Sequence, residues 1–331
     1  MLAKIFIYIA IFLVGVGGIY LLVKGKPNVS LPTPTPTFSP LPKTSSFNFL
    51  LLGYGGAGHD GGSLTDSMVV VRVDTENKKV ALISIPRDLW IPSLNDKINA
   101  AYAKSNSKDV VSEVTSLPVS YFVSVDFGGF VKIIDTLGKV NVNVPTTFED
   151  NFFPIPGKEN DTCGKTGDEV NALKVKYSGF DLEKQFTCRY EQIHFDKGVV
   201  QMSGTEALKF VRSRHSNTSG GDFARSQRQF AVLQAIMEKL ISFSTVGKLT
   251  PIIDTLSKMV RTDLGKDQIL ELLQIAGDPK SYQVKEIHLT DTNVLTNKVG
   301  PQGQFILVPT SGSGNWTAIQ SFIKSELSKF P

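Results

Sequence analysis

The chain has 331 residues, 41% of them apolar, two cysteines and a formal net charge of +4 at pH 7. This composition is typical of a globular protein with a substantial core, and it excludes a disordered chain, a collagen-like chain and a disulfide-dense scaffold. The net charge comes from positions 1–46, where Lys4, Lys24, Lys26 and Lys43 are the only charged residues. The neutral remainder argues against nucleic acid as a partner, because a general nucleic-acid surface needs an excess of basic residues.

The first predicted element is a transmembrane helix. Residues 5–23 read IFIYIAIFLVGVGGIYLLV, and at about 1.5 Å rise per residue they come close to the roughly 30 Å hydrocarbon thickness of a bilayer. A cleaved signal peptide is the alternative, but its apolar core is usually shorter and is followed by small residues, whereas Lys24 follows here. Residues 24–46 are rich in Pro and Thr, so we expect an extended stalk before a domain of residues 47–331.

Three apolar, β-branched segments of strand length open this domain. They are residues 47–53 (FNFLLLG), 67–74 (SMVVVRVD) and 79–85 (KVALISI). The short polar connection between the second and the third predicts a hairpin. Residues 121–126, 127–138 and 139–144 then predict a strand, a helix ended by Gly138 and a second strand.

Residues 146–198 are polar, irregular and too long for an ordinary connection. They predict either an excursion from the core or a lid over a site. They contain Cys163 and Cys188, which are equally compatible with a disulfide and with two buried free thiols.

Two helices are predicted next. Ser203 and Glu206 have the spacing of a capping box, and Asp222 is the expected N-cap of the second helix. The remaining predicted elements are one or two amphipathic helices (249–276), strands near 283–289 and 304–308, and a final helix (315–329). No linker-like segment separates them from the core, so we predict one α/β domain with a mixed central sheet and helices on both faces.

A glycine-rich loop follows the first strand. Residues 53–58 (GYGGAG) have the G-x-G-x-x-G spacing of a dinucleotide-binding turn. That turn must open a helix, but here the chain leads through Asp66 into another strand, which disfavours a nucleotide cofactor. A flexible loop whose backbone amides can approach a phosphate is the better interpretation.

Several guanidiniums gather at element ends. They belong to Arg87 after the third strand, Arg212 and Arg214 at the end of one helix, and Arg225 and Arg228 beside Gln229 in the next. Arg225 shares a helix face with apolar residues, so an anion should meet it, either a carboxylate such as Asp222 or a ligand. We predict a polyanion site, since guanidiniums grip a pyrophosphate bidentately, with surface salt bridges as the alternative. Asp66 is the candidate Mg²⁺ ligand beside it, or else an ordinary turn residue.

In order and spacing, seven blocks within residues 47–241 resemble the LytR-CpsA-Psr family of bacterial cell-envelope proteins. They are FLLLGYG, LTDSMVVVRVD, VALISIPRD, DKINAAYA, FVSVDFGGFVKIIDTLGKVNVNVP, MSGTEALKFVRSRH and GDFARSQRQFAVLQAI. The resemblance implies a single-pass protein of the cell membrane, with residues 1–4 in the cytoplasm and residues 47–331 as an extracellular catalytic domain. It implies a Mg²⁺-assisted phosphotransferase that moves a glycopolymer from a polyprenyl-pyrophosphate carrier to a peptidoglycan sugar hydroxyl.

The resemblance also assigns roles by position. The implied catalytic residues are Asp66, which binds the metal, Arg87, which contacts the pyrophosphate, and Asp222. The other implied pyrophosphate contacts are Arg212, Arg214, Arg225, Gln229 and, as a weaker match, Lys97.

Two positions depart from the family pattern. Tyr54 stands where members often have an aspartate, and Leu64 stands where they often have an arginine. His59 or Asp60 of the glycine loop are hypothetical substitutes, and Asp60 is therefore a second candidate metal ligand. The departures leave two alternatives to the transferase open: a hydrolase that uses water as acceptor, and a non-catalytic protein that binds the lipid pyrophosphate. The sequence does not choose the base among Asp66, Asp60 and Asp222.

Overall fold

The computed structural model of this chain describes residues 44–58, 61–213, 215–216, 221–244, 259–276 and 281–330. Several sequence predictions concern residues outside these ranges, namely the cytoplasmic tail (1–4), the transmembrane helix (5–23), the stalk up to residue 43, His59, Asp60 and Arg214. Within the described ranges, no helix has the length and apolar character that a membrane span requires.

The described strands and helices follow the chain in a mixed order. The strands are β1 (Ser46–Tyr54), β2 (Thr65–Asp74), β3 (Lys79–Ser84), β4 (Trp90–Ile91), β5 (Asp96–Lys97), β6 (Tyr121–Asp126), β7 (Val140–Val144), β8 (Phe148–Pro154), β9 (Tyr190–Phe195), β10 (Gly198–Met202), β11 (Val260–Thr262), β12 (Gln283–His288), β13 (Leu295–Val299) and β14 (Phe305–Pro309). The α-helices are α1 (Ser107–Thr115), α2 (Phe127–Thr136), α3 (Gly167–Lys176), α4 (Gly179–Glu183), α5 (Gly204–Arg212), α6 (Gly221–Ser244), α7 (Lys266–Ala276) and α8 (Thr317–Ser328).

The chain divides into two compact units. The first is built from the described residues of Met1–Lys139 and Ile236–Pro331, and the second is Val140–Ala235. Whether residues 47–331 behave as one domain stays a prediction.

A six-stranded mixed sheet forms the centre of the first unit. Its spatial order is β11-β6-β1-β2-β3-β12. β1 is parallel to β6 and β3 is parallel to β12, whereas the other neighbours are antiparallel. This topology confirms the predicted mixed central sheet and the hairpin of β2 and β3.

The central strands are buried on both faces because their sequences are nearly continuous apolar runs. In β1 every residue from Phe47 to Leu52 is buried. One face packs against α1 and α8, since Leu50 and Leu52 share a core cluster with Val111 and Ile319. The predicted coverage of both faces by helices is therefore observed for this face, and for the other it stays a prediction.

One end of this sheet brings together several chain directions. The carboxyl ends of β1, β3 and β6 meet the beginning of β2, because β2 runs antiparallel to β1 and β3. At that point Gly53 pairs with Ser67 but Tyr54 pairs with Thr65, so Asp66 is an extra residue in β2. Such a β-bulge changes the direction of a side chain and is common beside functional sites.

The second unit contains two antiparallel strand pairs, β7 with β10 and β8 with β9. The connection from β8 to β9 carries α3 and α4, and the disulfide Cys163–Cys188 closes it. Of the two alternatives for the cysteines, the structure thus contains the disulfide. We call residues 155–189 the excursion, which matches one of the two interpretations of 146–198; a lid function stays untested.

Local signals explain the confirmed helix boundaries. Ser203 and Glu206 form the predicted capping box at the start of α5, with the Ser203 amide donating to Glu206 Oε2 at 2.8 Å. The strand, helix, strand prediction over 121–144 is confirmed, and Gly138 follows α2 with a φ of +73°.

Two expectations need correction, and the strand β13 was missed. α6 begins at Gly221, so Asp222 lies in the first turn and is not the N-cap. An acidic residue in the first turn also stabilises a helix, because it interacts favourably with the positive end of the helix dipole. Part of the predicted helical segment 249–276 is the strand β11, because Val260–Thr262 pairs with β6 and extends the sheet. β13 was not predicted, because LTNKV is too polar and short to be distinguished from a loop, and it is held by pairing with β14.

Candidate functional site

The first group of candidate residues lies at the sheet end where β2 begins. The bulge in β2 carries Asp66, and Arg87 follows β3 by three residues. Lys97 belongs to β5, which pairs with β4 directly after Asp88 and Leu89. We call Asp66, Arg87, Asp88 and Lys97 the sheet-edge cluster.

Alternating charges connect the four side chains of the sheet-edge cluster. Arg87 Nη1 lies 2.5 Å from Asp66 Oδ1, and Arg87 Nε lies 3.5 Å from Asp88 Oδ2. Lys97 Nζ lies 2.5 Å from the other carboxylate oxygen of Asp88. Asp88 is buried, whereas the Asp66 side chain is 40% exposed, so the Asp66 carboxylate is the member of the cluster that is most accessible to a ligand.

Arg87 has one donor that the described protein leaves without an acceptor. Its Nε is buried and makes no hydrogen bond within the described residues, and Asp88 Oδ2 lies 3.5 Å from it, at the limit of hydrogen-bond distance. A buried N–H without an acceptor costs free energy, and an anionic oxygen would recover it. The structure therefore fits the predicted role of Arg87 in binding a phosphate, a role that stays a prediction.

Tyr54 occupies the position where the resemblance to the family implies an aspartate. It is buried, and its ring packs on Tyr102 with 5.1 Å between centroids. Burial, together with the charges of Tyr102 and Asp126, raises the pKa of Tyr54 to about 12, so this phenol stays neutral at ordinary pH. Leu64, the second departure, is partly exposed.

Asp126 is a carboxylate at this sheet end that the sequence analysis did not single out. It pairs with Tyr54 in register across β6 and β1, and its Oδ1 accepts the Gly129 amide at 2.6 Å as the N-cap of α2. A Cβ at Gly56 would lie 2.9 Å from Asp126 Cβ, so glycine there lets the glycine loop lie against this residue. The loop leads into β2 and not into a helix, which confirms that it is not a dinucleotide-binding turn.

The described residues fit a Mg²⁺ ion only in one of its usual binding modes. Within the described ranges, the one group of three metal-ligating side chains is Asp161, Cys163 and Cys188, and the disulfide removes both thiolates. Asp66 therefore offers a single carboxylate. That suffices for Mg²⁺ held by one or two carboxylates with phosphate oxygens and water, but not for a cage made of protein ligands.

The second group of candidates lies in the second unit, around Arg228. This side chain is 1% exposed, and its Nε and Nη2 donate to the carbonyls of Phe210 at 2.9 Å and Ser213 at 2.5 Å. Its guanidinium lies over the Phe148 ring, 4.9 Å from the centroid. Burial, and then the neighbouring charge of Arg225, lowers the pKa of Arg228 to about 10.

Asp150 of β8 holds the same loop from another side. Its buried carboxylate accepts the Ser213 hydroxyl at 2.7 Å and the His215 amide at 3.1 Å. Its charge also raises the pKa of Arg228, which opposes the effect of burial. We call Asp150, Ser213, Arg225 and Arg228 the buried arginine cluster.

The structure confirms that Arg225 lies on the packed side of its helix, where it is 7% exposed. Gln229 is half-buried one turn further on, and Arg212 ends α5 with its guanidinium 6.0 Å from the Phe153 ring centroid. The predicted partner Asp222 lies in α6, but its side chain is outside the described ones. The sequence analysis missed Asp150, whose signal is a carboxylate at an inward position of the alternating strand FEDNFFP.

Comparisons with known proteins identify the family of the chain. The model of the LytR_cpsA_psr family matches residues 23–306. The chain is 28% identical over 279 residues to the polyisoprenyl-teichoic acid–peptidoglycan teichoic acid transferase TagV of Bacillus subtilis. The aligned region covers 81% of this chain and 61% of TagV. It is 30% identical over 237 residues to the corresponding transferase TagU of Bacillus mycoides, which covers 70% of this chain and 64% of TagU.

The fold comparison gives the same result. The crystal structure of Bacillus subtilis TagV superposes with a TM-score of 0.60 at 26% identity, over 87% of this chain and 100% of that one. This chain spans less than two thirds of the length of the two curated relatives. The match of the family model over most of the sequence shows that the chain belongs to the LytR-CpsA-Psr family.

Proposed function

We propose that this protein is a phosphotransferase that moves a teichoic-acid-like glycopolymer from a polyisoprenyl-pyrophosphate carrier to peptidoglycan. The observation that carries the proposal is Arg87, a guanidinium paired with the accessible carboxylate Asp66 and holding a buried Nε without a described acceptor. TagV and TagU, to which the chain is similar, are named as transferases of polyisoprenyl-linked teichoic acid to peptidoglycan.

The charge pattern of the sheet-edge cluster suits a pyrophosphate. Arg87 can turn its guanidinium from Asp66 towards phosphate oxygens, because both groups are only partly buried. The ion pair with Lys97 fixes the Asp88 carboxylate. This carboxylate lies 3.5 Å from Arg87 Nε and helps to hold the inner end of the guanidinium. A pyrophosphate that binds here therefore meets a guanidinium that is already oriented, so binding costs less free energy for ordering and desolvating this side chain.

The buried arginine cluster supports phosphate binding by the second unit. Arg225 and Arg228 are two buried cations close enough for one to lower the pKa of the other. An anion bound beside them would relieve that repulsion. Arg225 remains a proposed phosphate contact of this unit, together with Arg212, Arg214 and Gln229, whereas Arg228 holds the loop beside it.

The proposed step is a substitution at the phosphorus that bears the glycopolymer. The acceptor hydroxyl oxygen forms the new P–O bond, the bond from that phosphorus to the bridging oxygen breaks, and polyisoprenyl monophosphate leaves. The hydroxyl proton goes to a carboxylate, for which Asp66 is the described candidate and Asp60 and Asp222 remain alternatives. Asp66 would also hold Mg²⁺, which when bound neutralises charge on the leaving phosphate.

We further propose that the protein acts at the outer face of the cell membrane. The apolar run of residues 5–23 is long enough to span a bilayer, with residues 1–4 in the cytoplasm and residues 24–46 as a stalk. The disulfide Cys163–Cys188 supports an extracellular domain, because disulfides persist in oxidising surroundings.

One observation favours a second candidate, a protein that binds the lipid pyrophosphate without turnover. Tyr54 is a buried, neutral phenol where relatives often have a carboxylate, so the site has one charged group fewer than the family pattern implies. A site that binds the carrier but lacks a metal ligand would have this composition.

The test uses the full chain in detergent with a short-chain polyprenyl-pyrophosphate glycan and Mg²⁺, and it follows release of polyprenyl phosphate. Arg87→Ala and Asp66→Asn are the test variants. Lys104→Ala is the matched control, because Lys104 belongs to an exposed ion pair with Asp96 in the same unit.

Release that peptidoglycan fragments stimulate, and that both test variants lose while the control keeps it, would support the transferase. Release that does not depend on peptidoglycan fragments indicates the hydrolase. Binding of the carrier without release at any Mg²⁺ concentration contradicts both enzymes and supports the binding protein.

A further inference from the structure

The excursion has almost no core of its own. Between Pro154 and Arg189, Phe186 is the one buried residue, and α3 and α4 bury none. A disulfide and side-chain hydrogen bonds hold the excursion instead. The disulfide joins residues 163 and 188, and Glu183 at the end of α4 accepts from Arg189 Nη1 at 3.2 Å and from the Tyr190 hydroxyl at 2.7 Å.

This weakly packed segment makes a specific contact with the loop between α5 and α6. The ring of Phe180, in the first turns of α4, stacks on the imidazole of His215 with 3.8 Å between centroids and 10° between planes. The edge of Phe152 packs against the same Phe180 ring at 5.3 Å. Thirty-five positions in sequence separate Phe180 from His215, so the contact exists only when the excursion is folded.

The α5–α6 loop is the segment that connects the arginines of the second unit. It follows Arg212, and it leads into the helix that carries Arg225 and Arg228. Asp150 and Arg228 hold its first residues through the His215 amide and the Ser213 carbonyl. The stacking of Phe180 on the exposed His215 adds a further contact to this loop.

We propose that the disulfide-closed excursion is a positioning element for the phosphate-binding arginines, and that Phe180 and His215 are positioning residues that do not touch the substrate. The proposal rests on the proposed function, since it assumes that the second unit binds a phosphate. A loop fixed in its binding conformation loses less conformational entropy when an anion arrives, so the stack raises affinity without a new contact to the ligand.

The experiment uses the full chain and inorganic pyrophosphate as the probe. Calorimetry measures the dissociation constant, and hydrogen exchange measures protection of the peptide that contains Ser213 and His215, with and without the probe. Phe180→Leu keeps an apolar side chain and removes the stack, whereas Phe180→Tyr keeps the stack. Val175→Ala is the control, because Val175 lies in the same excursion and is 91% exposed.

We expect Phe180→Leu to weaken pyrophosphate binding about two- to tenfold and to raise exchange in the loop peptide. Phe180→Tyr and Val175→Ala should behave as the wild type. His215→Asn combined with Phe180→Leu should bind no more weakly than Phe180→Leu alone, because Phe180→Leu already removes the stack on His215. Paired Cys163→Ser and Cys188→Ser substitutions should reproduce the effect of Phe180→Leu.

Folded variants whose affinity and loop exchange equal those of the wild type would overturn the proposal. A wild type that binds no pyrophosphate would instead contradict the anion site of the proposed function. In that case loop exchange still decides the positioning role: unchanged exchange in Phe180→Leu overturns it, and raised exchange that Phe180→Tyr prevents supports it.

Discussion

The sheet-edge cluster and the buried arginine cluster use the same side-chain types in opposite ways. In the sheet-edge cluster each charge meets another side chain of opposite charge, and Asp66 and Arg87 remain partly exposed. In the buried arginine cluster the central guanidinium of Arg228 donates to backbone carbonyls of Phe210 and Ser213 and has almost no exposure. The ion pairs of the sheet-edge cluster can open to bind a ligand. Arg228 cannot leave its two carbonyls without releasing the loop between α5 and α6.

This difference separates two kinds of arginine that look alike in the sequence. Arg87 pairs with the partly exposed Asp66, and its other partner Asp88 keeps Lys97 as a second cation, so the removal of Arg87 should cost little stability. Arg228 donates to two buried carbonyls, so its removal takes one donor from each of them. Activity should therefore be sensitive to the first residue and stability to the second.

The largest expected effect is on turnover by Arg87→Ala. Loss of a guanidinium that stabilises charge on a transferring phosphate should lower kcat/KM about 100-fold or more, while the urea midpoint stays close to that of the wild type. Arg87→Lys keeps the charge but loses the two-pronged geometry, and it should recover only part of the rate. A large fall in the urea midpoint of Arg87→Ala would mean that Arg87 belongs to the structural kind.

Arg228→Met tests the other side of the comparison. It keeps an apolar stem over Phe148 but removes both donors, and we expect a loss of about 2 to 4 kcal/mol in the free energy of unfolding. Urea unfolding followed by circular dichroism measures it, with the exposed Lys197→Met as the control in the same unit. A loss as small as that of the control would contradict the assignment of Arg228 as a residue that holds the loop.

What the sequence predicts well in this protein is carried by neighbours in the chain. The run FNFLLLG marks β1, and Ser203 with Glu206 marks the start of α5, because apolar runs and capping boxes act within a few residues. The arginines of the candidate site are also visible, since their types and their positions at element ends are sequence properties.

What the sequence leaves open depends on contacts between distant residues. Asp150 reaches Ser213 across 63 positions, and the bulge that carries Asp66 appears only when β1 and β2 are paired. The pairing of Cys163 with Cys188 depends on their distance, which their spacing does not fix. β11 has three residues and becomes a strand through its pairing with β6, which overrides a helical pattern.

Alkaline titration compares the two units through tyrosines whose pKa is raised. Burial raises the pKa of Tyr54 and Tyr282 in the first unit, and burial together with Glu183 raises that of Tyr190 in the second, each to about 12 from an ordinary value of 10. The folded state then holds these phenolic protons more tightly, so this contribution to stability is complete below about pH 10 and is lost as the pH rises towards 12. Absorbance at 295 nm should show these phenols ionising late, and Tyr54→Phe should remove one of the late groups.

The smallest expected effect is that of Lys97→Met, which refines the picture of the sheet-edge cluster. Lys97 Nζ reaches the buried Asp88 at 2.5 Å, and both side chains are largely shielded from solvent. Its removal leaves the Asp88 carboxylate with Arg87 Nε at 3.5 Å as its described cation, so we expect a loss of about 1 kcal/mol in the free energy of unfolding. Because the pair is only partly screened, 1 M salt should shrink this difference without removing it.

The same variant has a consequence for turnover. Asp88 without Lys97 should draw Arg87 Nε closer, which competes with a phosphate for that donor. We therefore expect a larger KM for the lipid pyrophosphate with little change in kcat, in contrast to Arg87→Ala, which lowers kcat. Steady-state kinetics distinguish the two patterns, and equal losses in kcat for both variants would show that Lys97 contacts the reacting phosphate itself and does more than hold Asp88.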